Sequence, residues 1–114
     1  MATVEIWTFA VEAPTVDLTG FRVEARDGGI GKVDEATNEA GGSFIVVDTG
    51  PWIFGKRVMI PAGMITLIDP DAETIDVRLR KDEIKNAPEF DKDRYRDESY
   101  RSELGDYYGR RGRL

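Results

Sequence analysis

The stretch FRVEARDGGIGKVDEA, residues 21–36, contains two short β-type runs on either side of a turn. In the first run the apolar residues Phe21, Val23 and Ala25 alternate with polar neighbours, which is the pattern of a strand with one buried face. The DGG triplet at 27–29 favours a tight hairpin turn, because glycine readily adopts the positive φ that such turns need. The second run alternates again, so this stretch predicts a β-hairpin.

Four further β-type runs follow before residue 81, and glycine- or proline-containing turns separate most of them. The runs are SFIVVD (43–48), KRVMI (56–60), MITLID (64–69) and TIDVRLR (74–80). Aromatic and β-branched residues dominate SFIVVD, as is typical of strands, and Ile75, Val77 and Leu79 alternate with polar residues in TIDVRLR. About six short strands with tight turns predict an all-β protein, and we expect a small barrel of short antiparallel strands.

The C-terminal third is rich in charged residues and has tyrosines at intervals. KDEIKNA, residues 81–87, predicts a short helix that Pro88 ends. Farther on, Tyr100, Leu104 and Tyr107 (or Tyr108) fall at helical spacing, which predicts a helix from about residue 94 to 104 with Gly105 as its breaker. We expect the final GRRGRL to be disordered, because it is rich in glycine and arginine.

These differences in composition divide the chain into three parts. Residues 1–15 contain an apolar and aromatic stretch that we expect to dock on the barrel or on a partner subunit. Residues 16–90 form the predicted β-barrel. Residues 91–114 form a charged tail with tyrosine and arginine, which we expect to be partly helical or disordered.

The segment GPWIFGKR, residues 50–57, is one residue short of a phosphate-binding loop. Such a loop wraps phosphates with backbone amides at a helix N-terminus, but here proline removes one amide and no helix follows. We therefore interpret it as a turn between strands. Its bulky residues Trp52, Ile53 and Phe54 either plug one end of the barrel or form an exposed apolar tip that binds a partner.

Composition excludes several kinds of chemistry. The chain has neither cysteine nor histidine, so it lacks a thiolate nucleophile, the commonest general base and the commonest transition-metal ligand. Positions 1, 3 and 5 of a possible calcium-binding loop are occupied by Asp69, Asp71 and Glu73. At the sixth position, however, Thr74 stands where such a loop needs glycine, which favours a solvated turn. We expect no enzymatic activity, no cofactor and no metal site.

The charge is unevenly distributed along the 114 residues. Residues 1–80 carry 7 basic and 13 acidic side chains, whereas residues 81–114 carry 9 of each, for a net charge of −6. Nucleic-acid binding depends largely on lysine and arginine, so we expect no DNA partner and consider RNA an unfavourable one. No apolar run approaches the length of a membrane span and no signal peptide is visible, which predicts a cytoplasmic protein.

The order of several phrases resembles the PRC-barrel family, named after the photosynthetic reaction centre H subunit. The phrases are LTGFRVEARDGGIGKVDEA (18–36), FIVVDTGPWIFGKRVMIPAGMI (44–65) and IDPDAETIDVRLRKDEIKNAPEF (68–90). The resemblance implies a β-barrel of about six strands without catalytic residues. Family barrels cap a membrane complex in the H subunit and help a bacterial ribosome maturation factor to dock on a ribosomal protein. Neither a membrane helix nor another domain precedes the barrel in this sequence, so we expect a stand-alone bacterial member.

Two functional hypotheses follow. The first is a non-catalytic adaptor that binds a protein partner and self-associates, as a homodimer, through Trp52, Ile53 and Phe54 or through the tail residues Tyr100, Leu104 and Tyr107. The second is a ribosome- or RNA-associated accessory protein that resembles the barrel of the maturation factor.

Overall fold

Six strands and two α-helices account for most of the residues that the structure describes. The structure is a computed structural model, and it describes residues 16–37, 43–50, 57–91, 93–94 and 97–109. The elements are β1 (Arg22–Ala25), β2 (Gly28–Thr37), β3 (Phe44–Asp48), β4 (Arg57–Pro61), β5 (Ile65–Asp69), β6 (Thr74–Val77), α1 (Lys81–Lys85) and α2 (Glu98–Gly109). A 3₁₀ turn at Ala62–Met64 joins β4 to β5. The six strands lie where the sequence predicted them, with ends that differ by up to three residues.

The strands form one sheet in the order β4-β3-β2-β1-β6-β5. Four of the five pairings are antiparallel, as predicted. The pairing of β1 with β6 is parallel, however, so the expectation of purely antiparallel strands was wrong at this position. The reason is that β5 and β6 form a hairpin that returns to the free side of β1, and the direction of β6 is then set by that hairpin rather than by β1.

The connection between β4 and β5 forces the sheet to curl. These two strands are the outermost strands of the sheet, yet only the Ala62–Met64 turn lies between them. Six strands laid flat would separate the two edges by about 24 Å, whereas the four-residue step from Pro61 to Ile65 spans about 14 Å at most. The sheet is therefore rolled into a barrel-like shape, although no β4–β5 ladder closes it within the described residues.

The central strand β2 bends so that it can serve two neighbours. Its first half pairs with β1 and its second half pairs with β3, with a bulge between Val33 and Glu35. Gly31 lies just before this bulge with φ +147°, and a Cβ atom there would overlap the backbone carbonyl of Asp48. Glycine is thus required at this position because the backbones of β2 and β3 approach too closely for a side chain.

Apolar side chains from all six strands fill the inside of the rolled sheet. In strand β3 four consecutive residues, 44–47, are buried, as are residues 58–61 of β4. Successive residues of a strand point to opposite faces, so both faces of β3 must be covered. The helix α2 contributes to this cover, since its Arg101 guanidinium lies 5.6 Å from the centre of the Phe44 ring.

The helix α2 differs from its prediction in position along the chain. It runs from Glu98 to Gly109 and does not end at Gly105, so the predicted helix of about 94–104 was too early at both ends. Glycine inside a helix costs about 1 kcal/mol relative to alanine. The burial of Tyr108, which is fully inaccessible to solvent, outweighs this cost.

None of the helices in the described residues is long and apolar enough to cross a membrane.

Candidate binding surface

The first group of predicted partner-binding residues consists of Trp52, Ile53 and Phe54. They belong to residues 51–56, which lie outside the described residues. Whether they plug the barrel or contact a partner therefore stays a prediction. The same holds for the expected docking of residues 1–15.

The second group of predicted residues lies on α2 and faces the inside of the protein. Tyr100 is 3% exposed and Leu104 is fully buried, and both belong to the core cluster. Tyr107 is partly buried and packs against the same cluster, while the neighbouring Tyr108 points fully inward. These residues hold α2 on the barrel. A partner could reach Tyr100 and Leu104 only if α2 moved away, so their role in partner binding stays a prediction.

The hydroxyl group of Tyr100 ties α2 to the segment that precedes it. It donates a hydrogen bond to the Glu89 carbonyl oxygen at 2.8 Å and accepts one from the Asp91 amide at 3.1 Å. The Arg94 guanidinium lies 5.6 Å from the ring centre. Burial is the main reason why the pKa of Tyr100 is raised above its ordinary value, since a buried phenolate would lose its hydration.

This segment in turn covers one edge of the sheet. Glu89 forms a β-bridge with Val58 of β4, and the Phe90 amide donates a hydrogen bond to the Arg57 carbonyl at 2.8 Å. On the same strand, the Arg57 side chain pairs with Asp34 of β2 at 3.3 Å. The β4 edge is therefore paired and partly covered by the chain itself.

The opposite edge, β5, is open along the part of the chain that the structure describes. No strand pairs with its outer side there, and Leu67 is 53% exposed. Only Val16 is a comparably exposed large apolar residue among the described residues. The β-type run MITLID predicted a strand, but nothing in that run indicates which strand becomes the edge of a sheet.

An acidic turn follows β5. The Asp69 carboxylate accepts hydrogen bonds from the amides of Asp71 and Ala72, both at 3.1 Å, and this stabilises the turn. Asp71 and Glu73 are exposed, and Glu73 adopts a positive φ of 55°. Within the described residues no group of three or more acidic side chains is arranged to hold a metal ion. The predicted solvated turn is thus present, with the Asp69 carboxylate turned towards the backbone.

A shallow groove of about 380 Å³ lies where β1, β6 and Thr66 of β5 meet. Its lining comes from three strands and the residues next to them: Glu24, Ala25, Arg26, Thr66, Asp76, Val77 and Arg78. The Thr66 hydroxyl donates to the Asp76 carbonyl at 3.3 Å, and the Nε of Arg78 is buried without a hydrogen-bond partner in the structure. Such a lining offers both donors and acceptors to a bound chain. We refer to β5, the turn at residues 70–73 and this groove as the β5 surface.

Comparison with known proteins adds a partial structural similarity. No protein-family model matches the sequence, and no curated protein matches it either. Among solved structures, the chain is similar to RimM of Pseudomonas aeruginosa, a proposed 16S ribosomal RNA processing protein, with a TM-score of 0.47 and 20% identity. The match covers 58% of this chain and 44% of that protein, so this chain matches less than half of its length. We draw no functional conclusion from a likeness at this level.

Proposed function

We propose that this chain is a non-catalytic docking domain that binds a protein partner through the β5 surface. One observation carries the proposal: β5 is an edge strand whose outer side is unpaired within the described residues, whereas the β4 edge is covered by Glu89 and Phe90. The unpaired N–H and C=O groups of an edge strand can pair with a strand of another chain, and this supports β5 as the interaction site.

The absence of catalysis is part of the proposal and rests on composition. Without histidine or cysteine, acid–base or nucleophilic chemistry at neutral pH would depend on carboxylates, lysine or tyrosine. The Tyr100 hydroxyl is engaged with the backbone at residues 89 and 91, and burial holds its pKa above the ordinary value. It is therefore a structural group rather than a proton donor or acceptor for a substrate.

The setting that we favour is a PRC-barrel protein of the cytoplasm that associates with the ribosome as an accessory factor. The support is the order of family-like phrases over residues 18–90 together with the rolled six-stranded sheet. We propose that contact occurs through a ribosomal or ribosome-bound protein and not through RNA. The net charge of −6 favours a basic protein over an anionic nucleic acid.

Sedimentation of the full-length chain with ribosomal subunits tests this function. We expect the wild-type chain to migrate with subunits at low salt and to be released as the salt concentration rises, because complementary charges are screened. Leu67→Lys should reduce co-sedimentation, whereas Val16→Lys, at the other exposed apolar residue, serves as the matched control. A wild-type chain that stays at the top of the gradient even at low salt contradicts the ribosomal setting.

A further inference from the structure

The chain covers the β4 edge of the sheet, whereas the β5 edge has no partner strand among the described residues. Along β4 the partner is internal, since Glu89 bridges to Val58 and the Tyr100 hydroxyl fixes the Glu89 carbonyl from α2. Along β5 the backbone groups of the outer side find no partner strand among the described residues. In an antiparallel edge strand about every second residue directs its N–H and C=O groups outward. Within the part of the chain that the structure describes, those groups of β5 are therefore open to a strand from another molecule.

We propose that the β5 edge accepts an extended basic segment of a partner protein, which adds a seventh strand to the sheet. This inference rests on the proposed docking function and adds the geometry of binding and the chemistry of the partner. In this mode of recognition, main-chain hydrogen bonds supply affinity and alternate side chains supply specificity.

The bulge in β5 limits the length of the added strand. Ile65 pairs with Val77 and Leu67 pairs with Asp76, so Thr66 is the extra residue of a bulge. A bulge twists a strand and interrupts regular pairing. The regular part of the edge is therefore residues 67–69, which suits a short segment rather than a continuous sheet. The same bulge explains how an open edge avoids unlimited association.

The side chains around residues 67–69 indicate the character of the partner. Leu67 is 53% exposed, and an apolar residue opposite it would bury apolar surface on both chains. Beyond the strand, Asp71 and Glu73 are exposed on the acidic turn, and lysine or arginine on the added strand would complement them. A segment that alternates apolar and basic residues satisfies both conditions.

Charge disfavours a second copy of this chain as the occupant. The sequence of β5, ITLID, contains no basic residue, and a second copy would bring its own acidic turn to the interface. Each chain also carries a net charge of −6, so two copies repel each other at low salt. A basic partner would be attracted both to the acidic turn and to the negatively charged chain, so neither repulsion arises.

Peptide binding to the intact chain tests the inference with defined probes. The first probe is a fluorescein-labelled heptapeptide in which lysine and valine alternate, with lysine at both ends and valine at the centre. The second is the same peptide with glutamate in place of lysine. A third replaces the central valine of the lysine peptide by proline, which cannot donate to a strand ladder. Fluorescence anisotropy gives Kd, and amide chemical-shift changes in the ¹⁵N-labelled chain locate the binding site.

We expect the lysine peptide to bind at least about tenfold more tightly than the glutamate peptide and the proline peptide. Its shift changes should be largest at residues 67–69. Leu67→Lys should weaken binding on the order of tenfold, because it removes the apolar contact and adds a charge that repels the lysine side chains. Val16→Lys makes the same change at the other exposed apolar position and should leave Kd unchanged. Unchanged amide spectra away from position 67 show that the Leu67→Lys chain is folded.

Several results would overturn the inference. They are a lysine peptide that does not bind, shift changes centred on another element, equal affinity for the lysine and glutamate peptides, and a dimer by light scattering whose β5 amides are protected without peptide. The last result would assign the edge to a second copy. If peptide binding fails while the wild-type chain still sediments with ribosomal subunits, the docking function stands and a different surface carries it.

Discussion

At the scale of single residues, Gly31 is a position where the fold leaves no room for a side chain. It combines a φ of +147° with a backbone approach in which a Cβ atom would overlap the Asp48 carbonyl. Gly31→Ala should lower the free energy of unfolding by about 2–4 kcal/mol, from strain and from overpacking together. Urea denaturation measures the loss.

Gly20→Ala is the matched control for Gly31→Ala. Gly20 also has a positive φ, +88°, but apart from its two chain neighbours no described residue has an atom within 4 Å of the position that its Cβ would occupy. Only the conformational cost of about 1–2 kcal/mol should then appear. Equal losses at both glycines would show that the contact between β2 and β3 is looser than the structure indicates.

Tyr100 offers a second test at this scale. Tyr100→Phe removes the hydroxyl that joins Glu89 and Asp91 and should cost about 1–2 kcal/mol in the free energy of unfolding, because two backbone groups lose their partner. Amide exchange near Val58 should also accelerate, since the segment that covers β4 loses its attachment. Thermal unfolding and hydrogen exchange measure the two effects, and unchanged exchange would mean that Glu89 holds its place without Tyr100.

The raised pKa of Tyr100 predicts a specific pH dependence. The folded protein holds the phenolic proton more tightly than the unfolded chain, whose tyrosine has the ordinary pKa of 10.0. The corresponding stability is fully present below pH 10 and is lost as the pH rises through the pKa of the folded state. Stability should therefore fall above about pH 10, and this fall should be smaller in Tyr100→Phe. If the stability of the wild-type chain and of Tyr100→Phe falls equally steeply with pH, groups other than Tyr100 cause the loss.

At the scale of elements, α2 acts as part of the barrel and not as a loose tail. Leu104 is fully buried, and Leu104→Ala should therefore lower the free energy of unfolding by about 2–4 kcal/mol. Glu103→Ala changes the exposed neighbour on the same helix and should have an effect within about 0.5 kcal/mol. Urea denaturation compares the two. A neutral Leu104→Ala would indicate that α2 leaves the barrel in solution.

At the scale of the whole molecule, the order of strands predicts a gradient of backbone protection. β2 and β1 lie at the centre of the sheet and β4 is covered by the segment at residues 89 and 90. The amides of β5 that point outward should exchange fastest among strand amides, and a bound basic segment should slow them. Native-state hydrogen exchange by NMR measures this order. Protection of residues 67–69 equal to that of β2 in the free chain would contradict an open β5 edge.

The sequence by itself determined the strands and turns of this protein. Alternation of apolar residues located the strands at 21–36 and 74–80, short β-type runs such as SFIVVD (43–48) located the others, and turn-forming residues such as the DGG triplet at 27–29 located the hairpins. These features depend on neighbouring residues and on the period of two in a strand, so a short window of sequence contains them. For the same reason the helical spacing of Tyr100 and Leu104 indicated a helix in the correct region.

Only the tertiary structure decided how these elements meet. The parallel pairing of β1 with β6, the roll of the sheet and the continuation of α2 through Gly105 all depend on contacts between residues far apart in sequence. The candidate site depends on such contacts too, because β5 became the open edge while residues 89 and 90 covered β4. Local pattern shows that a strand has one buried face, but which neighbour covers each edge is settled by long-range packing.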